Sequence, residues 1–292
     1  MTLASIPLPG RRPALVVGHP GHELRIHRWI ELARPETFVL TDGSGRTARS
    51  RLPSTTRVLT SAGARIGRVY GAFADAQIYD LIQRGSPAPF VDILVELAER
   101  WIAEDVDYVV GDALEGFNPS HDMCRYLVNA AVALVRQHTG RVIANFDFLL
   151  DGSPSACPDE LMSASVIVDL DATALARKLE AATGYAELRS ETDAALERFG
   201  PQAFATEVLR PVVDVRQGVD RIDPDPPYYE TFGERQVRAG HYDSVIRYRT
   251  AVQPLVRAIW HQAGLDQADL ATDTVASSLT GGSRQSSHLK PS

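Results

Sequence analysis

ALVVGHPGHE, residues 14–23, decides how the rest of the chain is read. Its first four residues are apolar, too short a run for a helix, and bounded by Pro13 and Gly18, which is the pattern of a fully buried strand. The chain then turns sharply, because Gly18, Pro20 and Gly21 allow the backbone to reverse there. His19, His22 and Glu23 therefore stand at the carboxyl end of the strand, where open α/β sheets bind their ligands.

Working outward, Leu24, Ile26, Trp29, Ile30 and Leu32 partly follow helical spacing until Pro35, and residues 37–41 read as a second strand closed by Asp42-Gly43-Ser44-Gly45. A strand, a helix and a strand with turns at matching ends make a βαβ unit. Helices are expected at 57–64, at 71–82 on a stripe of Phe73, Ile78, Leu81 and Ile82, and at 90–104 on Leu94, Leu97 and Trp101. Strand 108–110, helix 121–136 and strand 142–146 follow. The repetition predicts an α/β fold, a Rossmann-like layered sandwich with a mainly parallel sheet and helices on both faces.

Beyond Gly152 a strand is expected at 165–169, a helix at 171–188 that could continue over 193–199, a proline-rich connection at 222–229, and a helix at 232–263 broken at Gly240. No linker of distinct composition intervenes, so 1–263 is expected to be one domain, with a core at 13–152 and an appended C-terminal helical portion at 153–263. Residues 264–292, rich in Ser, Thr, Gly and Gln, are expected to be a disordered tail.

Composition narrows the class. The 292 residues are 44% hydrophobic and 23% charged, enough to bury a sizeable core. A net charge of -7 argues against nucleic acid as the partner, because neutralising phosphates needs clustered Lys and Arg. Cys124 and Cys157 provide neither a disulfide framework nor a thiolate zinc site, which suits a reducing cytoplasm. The first residues lack signal-peptide order and no apolar run has the length of a bilayer span, so a soluble cytoplasmic protein is expected.

His121 follows the end of a different strand, and parallel topology gathers such ends on one side. Three imidazoles with an open fourth position make a catalytic zinc site, in which the metal acidifies water and polarises a carbonyl. A histidine in a βα turn is more often a surface or capping residue, so spacing alone is a thin warrant.

Four stretches in order, ALVVGHPGHE, TFVLTDGSG, DALEGFNPSHDMCRYLVNAA and DATALARKLEAATGYAEL, resemble the PIG-L/LmbE-like family of zinc-dependent N-deacetylases over roughly residues 13–190. The resemblance implies removal of an acyl group from an N-acylated amino sugar or glycoconjugate. It places His19 and His121 at metal-binding histidines and His22 where the family has a metal-binding aspartate. A histidine there keeps a ligand but makes the set neutral, leaving the bound cation more positive. Gly21 stands where the family has its general base, Asn118 where it has a histidine that steadies the tetrahedral intermediate, and Ser120 in place of an aspartate. An Asn amide can still donate to an oxyanion.

A hydrolase with Gly21 needs another proton acceptor, and Glu23, Asp42, Glu115 and Asp122 are candidates by proximity in sequence. Three of them have a plainer role: Glu23 as acceptor of turn amides, Asp42 as turn former, Asp122 as a first-turn carboxylate. Arg25 and Arg46 are candidates for steering an anionic group, His241 for reaching the pocket, and Tyr228 and Tyr229 for stacking on a sugar. His27 and His138 read as ordinary helical histidines. The rival is a non-catalytic carbohydrate or nucleotide-sugar binding protein that keeps the fold. A dinucleotide oxidoreductase is disfavoured, since Gly18-His19-Pro20-Gly21 is not the spaced glycine fingerprint.

Overall fold

The computed structural model of the protein describes residues 11–45 and 48–265. Its strands are β1 (Pro13–Val17), β2 (Glu36–Thr41), β3 (Arg65–Phe73), β4 (Tyr108–Asp112), β5 (Ala144–Phe148), β6 (Val166–Asp169) and β7 (Thr206–Pro211). They form one seven-stranded sheet in the order β3-β2-β1-β4-β5-β7-β6. The first five are parallel, and β7 runs antiparallel to β5 and β6. Strand order reverses between β1 and β4, and the crevice at their carboxyl ends is where such sheets take ligands.

β1 is central, with Leu15 opposite Thr37 on one side and Val110 on the other. Residues 14–17 are all buried, as a parallel strand covered on both faces requires. Ala14 and Val16 pack with Leu97 and Trp101 of α4 (Ala88–Ala103), Leu127 and Ala131 of α5 (Pro119–Thr139) and Ile259 of α10 (Gln253–Gln262). Leu15 and Val17 face the other way, onto Trp29 and Ile30 of α1 (His27–Ala33) and Leu59 of α2 (Leu52–Ser61). Helices thus cover both faces of the expected α/β sheet.

α5 is buried along almost its whole length and carries the fully buried Arg125, whose guanidinium donates to Asp112 O, Asn145 Oδ1 and Phe146 O. That fork fixes α5 to the end of β4 and the middle of β5. The first residues of α5 are thereby held over the crevice.

Several boundaries depart from the sequence pattern for identifiable reasons. Residues 65–73 form β3, where no element was expected before the helix start at 71; β3 is an edge strand whose exposed Arg65 and Arg68 break the apolar run. The helix expected at 71–82 begins only with α3 (Asp75–Arg84). The helix expected at 57–64 is α2, which starts earlier with Pro53 in its first turn. β5 lies two residues past the expected 142–146, leaving Val142 53% exposed.

The portion after Gly152 is not solely helical. It includes the short α6 (Asp159–Met162), α7 (Ala172–Thr183) capped by Asp171, α8 (Arg189–Phe199) and α9 (Tyr228–Arg238), but also supplies β6 and β7 to the sheet. The helix expected at 232–263 is divided into α9, a π turn at Tyr248–Val252 and α10, and residues 240–247 are irregular. Of the expected tail only 264 and 265 are described, and Leu265 is fully buried. Among the described residues no helix is long and apolar enough to cross a membrane.

Candidate active site

The rings of His19, His22 and His121 meet in the crevice between β1 and β4. Their centroids lie 5.4 Å (19 to 22), 4.9 Å (19 to 121) and 4.5 Å (22 to 121) apart, each pair edge-on. Close backbone packing makes this possible. The Gly18 amide donates to Asp112 Oδ2 at 2.7 Å, and a Cβ on Gly18 would lie 2.9 Å from that oxygen. Glu23 is fully buried and ties the turn internally, accepting the Gly21 amide at 2.7 Å and the Thr55 hydroxyl at 2.8 Å.

Gly21 has φ +107°, and a Cβ there would come within 2.1 Å of Leu188 Cδ1. An acidic side chain there would strain the backbone and displace the Leu188 side chain. Gly21→Asp is expected to lower stability by about 1–3 kcal/mol in denaturant unfolding, from backbone strain and displacement of Leu188, and to confer no hydrolytic gain.

Two carboxylates orient the rings. Asp112 Oδ2 is 2.8 Å from His22 Nδ1, and Asp75 Oδ1 is 3.1 Å from His19 Nδ1, which also lies 2.8 Å from Thr41 Oγ1. A carboxylate on Nδ1 fixes the ring proton there and leaves Nε2 with the lone pair. Burial, then the charge of His19, pushes His22 well below the usual histidine range; burial, then His22 and His19, does the same to His121. Both are neutral, ligand-competent imidazoles at neutral pH. Burial opposes ionisation of Asp75, but the hydrogen bond and charge of His19, with Thr41 and the Gly45 amide, outweigh it and hold this carboxyl well below its usual range. Burial raises Asp112 to about 7.

Asp75, Asp112 and Thr41 were not singled out in the sequence. Asp112 was legible in principle, as a carboxylate ending the strand next to β1. Asp75 was not, because it follows a strand whose pattern was broken.

Asn118 is the N-cap of α5. Its Oδ1 accepts from the Ser120 amide at 2.9 Å and the Tyr79 hydroxyl at 3.0 Å, and lies 2.8 Å from Ser120 Oγ. Those donors dictate which way the amide faces, so its NH2 is the part left to donate elsewhere.

The other expected acids are committed to backbone. Asp42 Oδ1 accepts the Ser44 and Asp75 amides, Asp122 Oδ1 those of Glu115 and Gly116, and Glu115 those of Leu150 and Asp151. His241 is exposed in the turn after α9, and Arg46 lies outside the described residues. His27 is buried in α1, and His138 is exposed in the last turn of α5. Arg25 donates to Leu150 O and keeps Nη1 buried without a partner. Near it a cavity of about 480 Å³ is lined by Glu115, Phe117, Asp151, Gly152, Arg198 and Tyr228. Phe117 and Tyr228 stack there at 5.2 Å and 4°, whereas Tyr229 is buried beneath.

Burial lifts the Asp122 carboxyl to about 8. An acid whose folded pKa exceeds its unfolded value, near 4, stabilises fully below that value and loses the contribution as pH rises through the folded pKa. Histidines of the unfolded chain titrate near pH 6.5 and add no slope above about pH 7.5. Thermal stability is therefore expected to fall between pH about 7.5 and 8.5, above the titration of Glu23, Asp112 and Glu115, which burial raises to about 7, and Asp122→Asn, which keeps the accepting oxygen, to flatten that fall in calorimetry.

The donor types suit a zinc ion: three imidazoles, His19 buried and His22 and His121 half-buried, two of them oriented by carboxylates, and an Nδ1 on His121 that is buried with no hydrogen-bond partner. As they stand, no three His, Cys, Asp or Glu donors among the described residues are gathered to hold an ion. His19 Nε2 lies 2.6 Å from Ser120 Oγ, whose hydroxyl donates to Asn118 Oδ1 at 2.8 Å.

No protein-family model matches the sequence. No curated protein matches it either. Among solved structures, it is similar to a triple mutant of the deacetylase Orf2 of the teicoplanin biosynthetic pathway, with 13% identity and TM-score 0.45 over 68% of this chain and 97% of that one. It is also similar to the A40926 pseudoaglycone deacetylase Dbv21, with 18% identity and TM-score 0.44 over 68% and 96%. The zinc-inhibited form of teicoplanin deacetylase Orf2 has 11% identity and TM-score 0.42 over 68% and 97%. Likeness at this level describes a chain path; activity has to come from the site.

Proposed function

We propose that the protein is a zinc-dependent amidohydrolase of the cytoplasm that removes an acyl group, acetyl in the simplest case, from an N-acylated amino sugar or glycoconjugate. The observation that carries this reading is the meeting of three imidazoles in the β1/β4 crevice, two of them with carboxylates on Nδ1. His19, His22 and His121 would hold the ion. When bound, zinc supplies an acidified water and a polarised amide carbonyl. Asp75 and Asp112 fix the ring tautomers, and the Asn118 amide, held by Tyr79 and the α5 backbone, donates to the developing oxyanion. The cavity beside Phe117 and Tyr228 receives the rest of the substrate, its aromatic faces against a sugar ring and Arg198 in its wall.

Gly21 favours a second reading. It cannot accept a proton, and Glu23, Asp42, Glu115 and Asp122 all accept backbone amides instead. On that reading the protein binds a carbohydrate or nucleotide-sugar without turnover. Zinc analysis of protein purified without chelator, with acetate release from a panel of N-acetylated amino sugars, separates the two. Equimolar zinc with acetate release is expected; equimolar zinc with no acetate from any substrate establishes the binder, and neither metal nor turnover overturns the metal reading.

A further inference from the structure

We infer that one buried water molecule is bound between α5 and α9 by Asp122 Oδ2 and the hydroxyls of Tyr126 and Tyr229, and that it positions the two rings, Phe117 and Tyr228, that stack in the cavity wall. Asp122, Tyr126 and Tyr229 are only 0%, 2% and 6% exposed, and each of those three oxygens is buried with no hydrogen-bond partner. Buried polar atoms in folded proteins are almost always paired, with protein or with ordered water.

The fold brings the three together. Asp122 and Tyr126 are four residues apart on α5 and share a face, and a long side chain on a helix leans back over the preceding turn, here toward residue 122. Gly116 joins Tyr229 to them: its amide donates to Asp122 Oδ1 at 3.2 Å, and its carbonyl accepts the Tyr229 amide at 3.1 Å. Burial first, then Asp122, pushes both phenols upward, so both carry their protons at neutral pH. Gly218 bounds the far side. With φ +77° it passes so near that a Cβ there would lie 2.8 Å from the Tyr126 hydroxyl, and its carbonyl accepts the Tyr248 hydroxyl.

Two phenols and a carboxyl oxygen match water, which both donates and accepts and makes about three bonds when buried. Phenol protons need an acceptor, which a cation does not supply. Asp122 Oδ1 also holds the amides of Glu115 and Gly116, which lead into Phe117, while Tyr229 follows Tyr228 on α9. A water shared by Asp122 and Tyr229 therefore ties together the two segments whose rings stack at 5.2 Å. It binds whether or not the histidine crevice holds an ion.

A crystal structure of the full chain that shows ordered water, with urea unfolding of Tyr126→Phe, Tyr229→Phe and the double variant, tests this. One isolated peak about 2.5–3.0 Å from all three oxygens is expected. Each single variant is expected to lower the folded-to-unfolded ratio about 2- to 10-fold, the worth of one net hydrogen bond. The double variant is expected to lose less than the product of the two, because one water serves both hydroxyls. A hydroxyl with no partner gives the opposite sign, since its removal relieves a buried unpaired group; variants more stable than wild type overturn the water. Single effects that simply multiply overturn the shared site, as does density showing a cation there or the phenols bonded directly to the carboxyl. In crystals of Tyr229→Phe the rings of Phe117 and Tyr228 are expected to move apart; an unchanged stack overturns the positioning role and leaves the water standing.

Discussion

Alanine at position 121 is expected to abolish stoichiometric zinc binding and to reduce acetate release at least about a hundredfold, beyond the losses typical of groups that only orient a ligand. The same change should cost little stability. His121 Nδ1 is buried with no hydrogen-bond partner, so removing the ring strands no donor or acceptor and relieves a polar group held from water. His22 differs, because its loss takes a partner from Asp112, whose Oδ1 is already unpartnered. A side chain whose buried Nδ1 makes no hydrogen bond, yet is pushed toward neutrality by burial against two other imidazoles, fits a ligand better than a core residue. His121→Ala protein that folds, retains one zinc and turns over normally would remove this ring from the site.

Glu207→Gln is expected to destabilise the protein by about 3–5 kcal/mol in denaturant unfolding. Glu207 on β7 is almost fully buried and is paired with Lys178 of α7, itself 2% exposed, at 2.8 Å. Its carboxylate also accepts the amides of Arg28 and Trp29 in the first turn of α1. A glutamine leaves the Lys178 ammonium in a low-dielectric interior opposite a neutral amide. Burial already pulls the Lys178 pKa down, so the lysine in the variant is expected to shed its proton on unfolding-free titration sooner than wild type. The effect is large because one carboxylate ties α1, which follows the histidine turn, to two elements from the far end of the chain. A loss below about 1 kcal/mol would show that the pair is no better than a surface ion pair.

Much of the centre was legible because its signals are local. Residues 14–17 are apolar without alternation, which only a strand covered on both faces tolerates, and the turn after them cannot continue a strand. The edge was illegible for the converse reason. β3 buries few side chains, and its charged residues face water, so its pattern did not resemble a strand. β7 carries Glu207 in its interior, and a buried acid looks out of place until Lys178 and the start of α1 are seen around it.

The candidate acids show the same division. Glu23, Asp42, Asp122 and Glu115 stand near the junctions in sequence, yet hydrogen bonding commits each to a turn or loop amide. Asp75 and Asp112, which touch the histidines, open α3 just after β3 and end β4.

By itself, the sequence determined a layered α/β chain with histidines at two strand ends, since apolar run length and turn chemistry act over a few residues. Only the tertiary structure decided which carboxylates face those rings, that Leu188 fills the space beside Gly21, and that Ser120 lies against His19. Each of these joins residues distant along the chain, and such contacts are fixed by packing and by the need to satisfy buried polar groups once the sheet has assembled.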